Sequence, residues 1–152
     1  MVRVVGIVAI AVCAAALIAA TSGDDWTPAA AGSKERATKL KLKRSPYGRV
    51  LFANGYAMYL FTRDSGSQSE CRGRCARAWP PLEVRGRLDA GRGVKQRLLG
   101  RTTRANGIEQ VTYDGHPLYG YVDDPRGEVL CHDVFEFGGT WYAVRRSGKP
   151  AP

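Results

Sequence analysis

The residues with the most chemistry open to them are four in number. Cys71 and Cys75 stand four apart, Cys131 follows Cys71 by sixty positions, and His132 is its neighbour. On a helix, a separation of four is one turn and one face. An unstrained helix holds such Cα atoms about 6 Å apart, inside the roughly 4.4–6.8 Å that a disulfide spans. A Cys71–Cys75 bond would close a loop too short to remove much chain entropy, and would pin only the turn before Trp79. A bond from either residue to Cys131 would close about sixty residues and stabilise by about 4 kcal/mol in the chain-entropy model. The sequence leaves all three pairings open. A second chemistry uses Cys71, Cys75, Cys131 and His132 together, because three thiolates and an imidazole suit tetrahedral zinc. Against it, adjacent Cys131 and His132 would point to opposite faces of a strand, and the first pair lacks the tight Cys-x-x-Cys knuckle. A third is thiol redox activity, with Arg72, Arg74 and Arg77 lowering a nearby thiol pKa. The plainer reading of those arginines is an exposed helix face.

Other catalytic patterns are thin. The sequence has no His-Glu-x-x-His, no Gly-x-Ser-x-Gly and no phosphate loop. His116 and His132 are its two histidines, and His116 follows a turn signal that places it at the surface. Asp64 and Asp124 could be drawn as a glycosidase carboxylate pair. Their places just past strand ends favour turn capping through backbone N–H groups instead. No enzymatic activity and no cofactor are therefore expected, with zinc the one exception left open.

Cysteine chemistry depends on compartment. Met1-Val2-Arg3 carries one positive charge, Val4 to Ala20 runs without a charge, and Ile18-Ala19-Ala20 ends the run in small residues. This order is that of a secretory signal peptide over residues 1–20. Seventeen apolar residues are also the lower limit of a membrane anchor at ~17–25, but no basic stop-transfer cluster follows. Lipidation at Cys13 is disfavoured, since Val12 stands where a small residue is needed and the apolar run continues beyond it. Export puts the remaining cysteines where disulfides persist, and three is an odd number. Without Arg3 the chain has 22 basic residues, sixteen of them arginine, against 14 acidic, or 22 − 14 = +8. Arginine suits carboxylate and phosphate contacts. Lys34 to Arg44, with Arg85, Arg87, Arg92, Arg97, Arg101 and Arg104, could attract an anionic envelope polymer or membrane surface. Nucleic acid is disfavoured by export.

The elements that must position these groups come from a repeat. Asn54-Gly55-Tyr56-Ala57-Met58-Tyr59-Leu60-Phe61-Thr62-Arg63-Asp64 returns sixty positions later as Asp114-Gly115-His116-Pro117-Leu118-Tyr119-Gly120-Tyr121-Val122-Asp123-Asp124. Asn-Gly and Asp-Gly are the strongest short hairpin signals, because both turn residues must accept positive φ. Strands are expected at Val50–Phe52, Met58–Thr62, Gln110–Tyr113 and Leu118–Val122, with a last one over Thr140–Val144 after a Gly138-Gly139 turn. Alternation places Tyr59 with Phe61, and Tyr119 with Tyr121, on shared faces that build a core. Trp141 stands as the second repeat's counterpart of Trp79. Cys71–Ala78 reads as a short helix stopped by Trp79-Pro80-Pro81. Residues 21–44 read as a disordered basic linker, although Leu40 and Leu42 alternate with lysines and could begin an edge strand; 82–97 reads as a connector without periodicity, and 148–152 as a frayed tail.

These motifs resemble a family of bacterial exported lipoproteins, the secreted repeat of unknown function. The resemblance rests on Tyr-x-aromatic-x-x-Asp in both copies, on Tyr47-Gly48, and on Cys71-Arg72-Gly73-Arg74-Cys75-Ala76 leading to Trp79-Pro80-Pro81-Leu82. It rests also on Gln110-Val111-Thr112-Tyr113, Pro117-Leu118-Tyr119 and Phe137-Gly138-Gly139-Thr140-Trp141-Tyr142. It implies an exported, often lipid-anchored protein and assigns no catalytic residue. The sequence thus predicts a mostly β domain over 45–147, made of two pseudo-symmetric hairpin repeats at about 45–82 and 105–147. The expected role is a non-enzymatic binding or scaffolding module of the cell envelope, with thiol redox or metal binding as the alternative.

Overall fold

A computed structural model describes residues 37–152. The expected signal peptide, Cys13, and the linker as far as residue 36 lie outside the described residues. Ten strands and one short helix follow in order: β1 (Ala37–Ser45), β2 (Gly48–Ala53), β3 (Tyr56–Ala57), β4 (Tyr59–Phe61), α1 (Arg74–Ala78), β5 (Arg87–Ala90), β6 (Leu99–Thr103), β7 (Glu109–Tyr113), β8 (His116–Pro117), β9 (Val134–Glu136) and β10 (Gly139–Ala143). They form three sheets, ordered β3-β2-β1-β5, β4-β10-β9 and β6-β7-β8. The mostly β, two-repeat expectation holds. Among the described residues, no helix is long and apolar enough to cross a membrane.

The two hairpins form where the turn chemistry requires them. Asn54 and Gly55 have φ of 54° and 93°, and Asp114 and Gly115 have 52° and 79°. Phe52 pairs with Ala57 in one hairpin, and Thr112 with Pro117 in the other, at the same repeat positions. A third turn has the same form at Phe137 and Gly138, with φ of 54° and 78°, one residue before the expected Gly-Gly. A phenylalanine in this left-handed region costs on the order of 1–2 kcal/mol that Asn or Gly would largely avoid.

The returning strands do not stay in their own hairpins. Each is broken, at Met58 and at Leu118, and the next residues pair with the other repeat. Tyr59 N–H donates to Tyr119 O at 2.9 Å and Tyr119 N–H to Tyr59 O at 3.0 Å. β4 then pairs with β10, placing Phe61 opposite Trp141. The ends of the repeats are exchanged as well. Leu82 N–H donates to Leu118 O and Val111 N–H to Leu82 O, both at 2.8 Å. In the first hairpin, Val144 takes the equivalent place: Leu51 N–H donates to Val144 O at 2.8 Å and Val144 N–H to Met58 O at 3.1 Å. Each hairpin is therefore completed by the tail of the other repeat.

Four expectations need correction. Residues 37–44 are not a disordered linker but most of β1, hydrogen-bonded on both sides, antiparallel to β2 and parallel to β5. The alternation of Leu40 and Leu42 with lysines, outweighed by the basic composition, is that of a real strand: Thr38 and Leu40 are buried while Lys39 and Lys41 face outward. The connector likewise contains β5, which β1 holds in register from Ala37–Arg87 to Leu40–Ala90. The tail is not frayed, because Ala151 is buried and its N–H donates to Ala143 O at 2.8 Å. α1 is also shorter than expected, beginning at Arg74 after Gly73 turns the chain at φ 53°.

Two adjoining cores result. An aromatic one gathers Phe52, Tyr59, Phe61, Trp79, Tyr119 and Trp141, and an aliphatic one gathers Leu40, Leu51, Leu60, Val111, Leu118 and Val144. Leu40 is wholly enclosed. Leu40→Ala should lower unfolding free energy by about 2–5 kcal/mol, and Lys41→Ala by no more than about 0.5 kcal/mol, in urea titrations. Equal, small effects would return 37–44 to the status of a linker.

Candidate functional site

The repeated Tyr-x-aromatic-x-x-Asp motif is tied across the two copies. Tyr59 hydroxyl donates to Asp124 Oδ2 at 2.7 Å, and Tyr119 hydroxyl donates to Asp64 Oδ2 at 2.8 Å. The other oxygen of each carboxylate accepts a backbone N–H six residues further on, from Glu70 at 2.8 Å and Leu130 at 3.2 Å. Each aspartate thus closes its own loop and binds the opposite repeat's tyrosine. Burial raises the Asp64 pKa to about 6, against the opposing pull of the Glu70 N–H, the Tyr119 hydroxyl and Arg104. Burial also raises Asp124, opposed by Tyr59 and the Leu130 N–H. Both phenols are pushed well above their ordinary range, by burial first and then by their aspartates. With each carboxylate held by a phenol and a backbone N–H, the pair builds structure and is not arranged as an open acid–base site.

Stacked beside this crossing is an aromatic column. Trp79 and Trp141 lie parallel at 4.0 Å between ring centroids. Phe61 stacks on the outer side of Trp141 at 4.1 Å, and Tyr121 lies against Trp79 at 4.7 Å. Tyr59 meets Trp79 edge-on at 5.2 Å, as Tyr119 meets Trp141 at 5.1 Å. Trp141 therefore does correspond to Trp79, and each indole stacks on the other repeat's motif aromatic. Glu136 takes both indole N–H groups, Trp79 on its carboxylate at 2.8 Å and Trp141 on its carbonyl at 3.2 Å. Sequence reasoning placed the aromatics on the right faces but missed this exchange, which no local pattern encodes.

The cysteine cluster is divided. Cys71 and Cys75 form a disulfide with Cα atoms 5.2 Å apart, both buried. Cys131 is a free, half-buried thiol. Burial and the Asp124 charge raise its pKa, and the Tyr121 hydroxyl bonded to it only partly offsets them. That is the reverse of thiolate activation. His132 Nδ1 accepts the Ala143 N–H at 3.2 Å, and its ring packs on Tyr47 at 4.2 Å. The Cys71, Cys75, Cys131 and His132 set is therefore not assembled as zinc ligands. Among the described residues, no three His, Cys, Asp or Glu side chains converge as a metal cage. His116 is half-buried in β8 rather than freely exposed.

The basic residues also sort differently from expectation. Arg104 is an interior strut, donating to Ser69 at 2.7 Å, to Gln110 at 2.6 Å and to the Cys71 carbonyl. Arg85, Arg87 and Arg101 face Glu83, Asp89 and Glu109 at 3.9, 2.7 and 3.2 Å. The lysines of β1 are different. Lys39 and Lys41 line a cavity of about 360 Å³ with Arg126, Ala37, Asn54 and Gly55. Lys43 lies 4.9 Å over the Phe52 ring.

Fold and site together define a class: a duplicated β-hairpin domain whose repeats complete each other through an aromatic column and crossed Tyr–Asp pairs. Residues 42–83 and 100–145 match the secreted repeat of unknown function, and the chain belongs to that family. Membership in a secreted family supports the expected export. No curated protein and no solved structure matches the chain.

The buried pairs make two measurements decisive. Tyr59→Phe should cost about 1–3 kcal/mol in urea unfolding, by leaving one oxygen of the enclosed Asp124 without its donor. Tyr119→Phe should cost less, because Asp64 is half-buried where Asp124 is buried, and it retains the Glu70 N–H and nearby Arg104. An acid whose pKa rises on folding binds its proton more tightly in the native state. The stability from Asp64 protonation is therefore fully present below the unfolded value of 3.8 and is lost as pH rises through about 6. Asp64→Asn should flatten this decline in stability between about pH 4 and pH 7 relative to the wild type.

Thiol counting gives an independent check. Without reductant, alkylation of residues 37–152 should label Cys131 alone, slowly when folded and quickly in denaturant. Two or more labelled thiols would contradict the Cys71–Cys75 bond.

Proposed function

We propose that this protein is an exported, non-enzymatic binding module for an anionic polymer of the cell envelope, docking through the outward face of β1. The observation that carries the reading is the meeting of Lys39, Lys41 and Arg126 around one open cavity with no carboxylate in its lining. Alternation in β1 gives these lysines a common side, while Thr38 and Leu40 fix the strand from beneath. A rigid row of cations attracts a repeating anion with less ordering cost than a mobile basic tail would. The absence of catalysis from the reading rests on occupancy. Asp64, Asp124 and His132 spend their acceptor atoms on structure, and Cys71 and Cys75 on each other. Thiol redox is the weaker reading, since the free Cys131 has its pKa raised rather than lowered. No cofactor enters the reading.

The test is retention of the exported protein on immobilised poly(glycerol phosphate), eluted by salt. Retention should weaken steeply above about 0.15 M salt, and Lys39→Ala and Lys41→Ala should each reduce affinity by about fivefold. Retention on anionic vesicles alone would transfer the reading to a membrane surface. Salt-insensitive or absent retention on both would refute it.

A further inference from the structure

We propose a second, more selective site: a pocket for the phosphate group of a phosphorylated polyol or sugar, formed in the first repeat by Arg63, Arg72 and Arg74. These three arginines line one cavity of about 410 Å³ with Phe61, Phe137, Glu70 and Cys75. The cavity lies at the Phe61 end of the aromatic column, so its floor is immobile: Phe61 stacks on Trp141, and Cys75 is held by the disulfide.

Arg63 is exposed and already held at one point before any ligand arrives. Its side chain lies over the Phe137–Gly138 turn, where one Nη donates to the Phe137 carbonyl at 3.3 Å. A Cβ at Gly139 would meet both the Arg63 stem and the Phe61 ring at 2.7 Å, so glycine there lets both lie close. The remaining N–H donors of Arg63 are left to meet a ligand. No carboxylate pairs with Arg63, Arg72 or Arg74 among the described ion pairs. Guanidinium forks match the several oxygens of a phosphate group. Three arginines against Glu70 leave a local charge of +2, which fits a phosphate monoester, such as a polymer's terminal phosphate, better than a single carboxylate. Glu70 can accept a ligand hydroxyl, and the half-buried Phe137 ring offers an apolar wall to a polyol or sugar face. Both point to an organic phosphate rather than the bare ion.

Two observations indicate that the pocket is not a by-product of folding. First, Phe137 occupies a left-handed position that the other two hairpin turns give to Asn54 and Asp114. Backbone strain of this kind persists where the side chain is needed. Second, the second repeat serves as an internal control. Sixty positions on from Arg63, Arg72 and Arg74 stand Asp123, His132 and Val134. The loop after Asp124 closes on Leu130 as the loop after Asp64 closes on Glu70, so the fold forms without arginines in that slot.

This site rests on the binding reading only for the source of its ligand, an envelope phosphate polymer. Its test is a calorimetric titration of the full-length chain with glycerol 3-phosphate, inorganic phosphate and D-glucuronate. Saturable one-to-one binding is expected, tightest for glycerol 3-phosphate, with Arg72→Ala and Arg74→Ala each weakening it roughly tenfold or more. Phe137→Asn separates site from scaffold. It should leave thermal stability nearly unchanged, relief of backbone strain offsetting the packing that the Phe137 ring loses on the aromatic core, while weakening glycerol 3-phosphate binding severalfold. Glucuronate binding as tightly as the phosphate ester, or unchanged affinity in Arg72→Ala and Arg74→Ala, would overturn the pocket. Loss of glycerol 3-phosphate binding in those variants with polymer retention kept is the expected pair of results, because the β1 face carries the polymer docking. Glycerol 3-phosphate binding without any polymer retention would sustain the pocket and remove the polymer as its source.

Discussion

Two carboxylates withdrawn from water, Asp124 buried and Asp64 half-buried, each bound by the tyrosine of the opposite repeat, are the constraint on which the rest of this structure depends. A carboxylate withdrawn from water needs donors aimed at it. Here each repeat supplies one from its own backbone and receives the other from its twin: Glu70 and Tyr119 serve Asp64, while Leu130 and Tyr59 serve Asp124. Neither repeat can satisfy its aspartate alone. The exchange of Leu82 and Val144 between hairpins follows the same logic in the backbone. The two copies therefore form one cooperative unit rather than two adjacent modules.

The aromatic column explains why the motif needs an aromatic two residues after its tyrosine. Tyr59 meets Trp79 by its edge, and Phe61 covers the outer face of Trp141. Tyr119 and Tyr121 do the same with the indoles interchanged. One strand face must therefore provide an edge contact and a stacking contact, and alternation delivers both from positions i and i+2. The consequence for function is restrictive. Each motif residue is consumed by packing or by the crossed hydrogen bonds. The motif thus marks the fold and leaves no side chain over for chemistry.

Legibility in the sequence followed the range of each interaction. The Asn54-Gly55 and Asp114-Gly115 turns were readable because positive φ is a local demand with few residue types to meet it. Tyr59 and Phe61 could be assigned to one face for the same reason. β1 was obscured by composition, because Lys39, Lys41 and Lys43 outweigh the alternating Thr38, Leu40 and Leu42 in any average. The alternation was visible but too short to decide for a strand by itself, and the partner β5 that fixes it lies some fifty residues away in the chain. The crossing of the repeats was not readable at all, since a hairpin closed on itself and a hairpin completed by its twin have the same local sequence. Arg104 shows the same limit. It looked like one more surface cation in a basic connector, and only tertiary contacts make it the strut between Ser69, Gln110 and the Cys71 carbonyl.

Duplication also separates what the fold requires from what it merely permits. Positions with the same role in both copies, such as Tyr59 and Tyr119 or Asp64 and Asp124, are bound by the shared geometry. Positions that differ in charge while the backbone stays alike are released from it. Arg63 against Asp123 and Arg72 against His132 are of the second kind, while Cys71 and Cys131 are alike in type and differ in bonding. The difference at the cysteines follows from what comes next: Cys75 stands four residues after Cys71, whereas Phe135 stands four after Cys131. The first repeat thus gains a disulfide that stiffens the wall beneath its arginines. The second keeps a shielded thiol among carboxylates. A scaffold held together by its symmetric residues can carry different chemistry at its two ends, and here the cations with a fixed, open setting lie at the first.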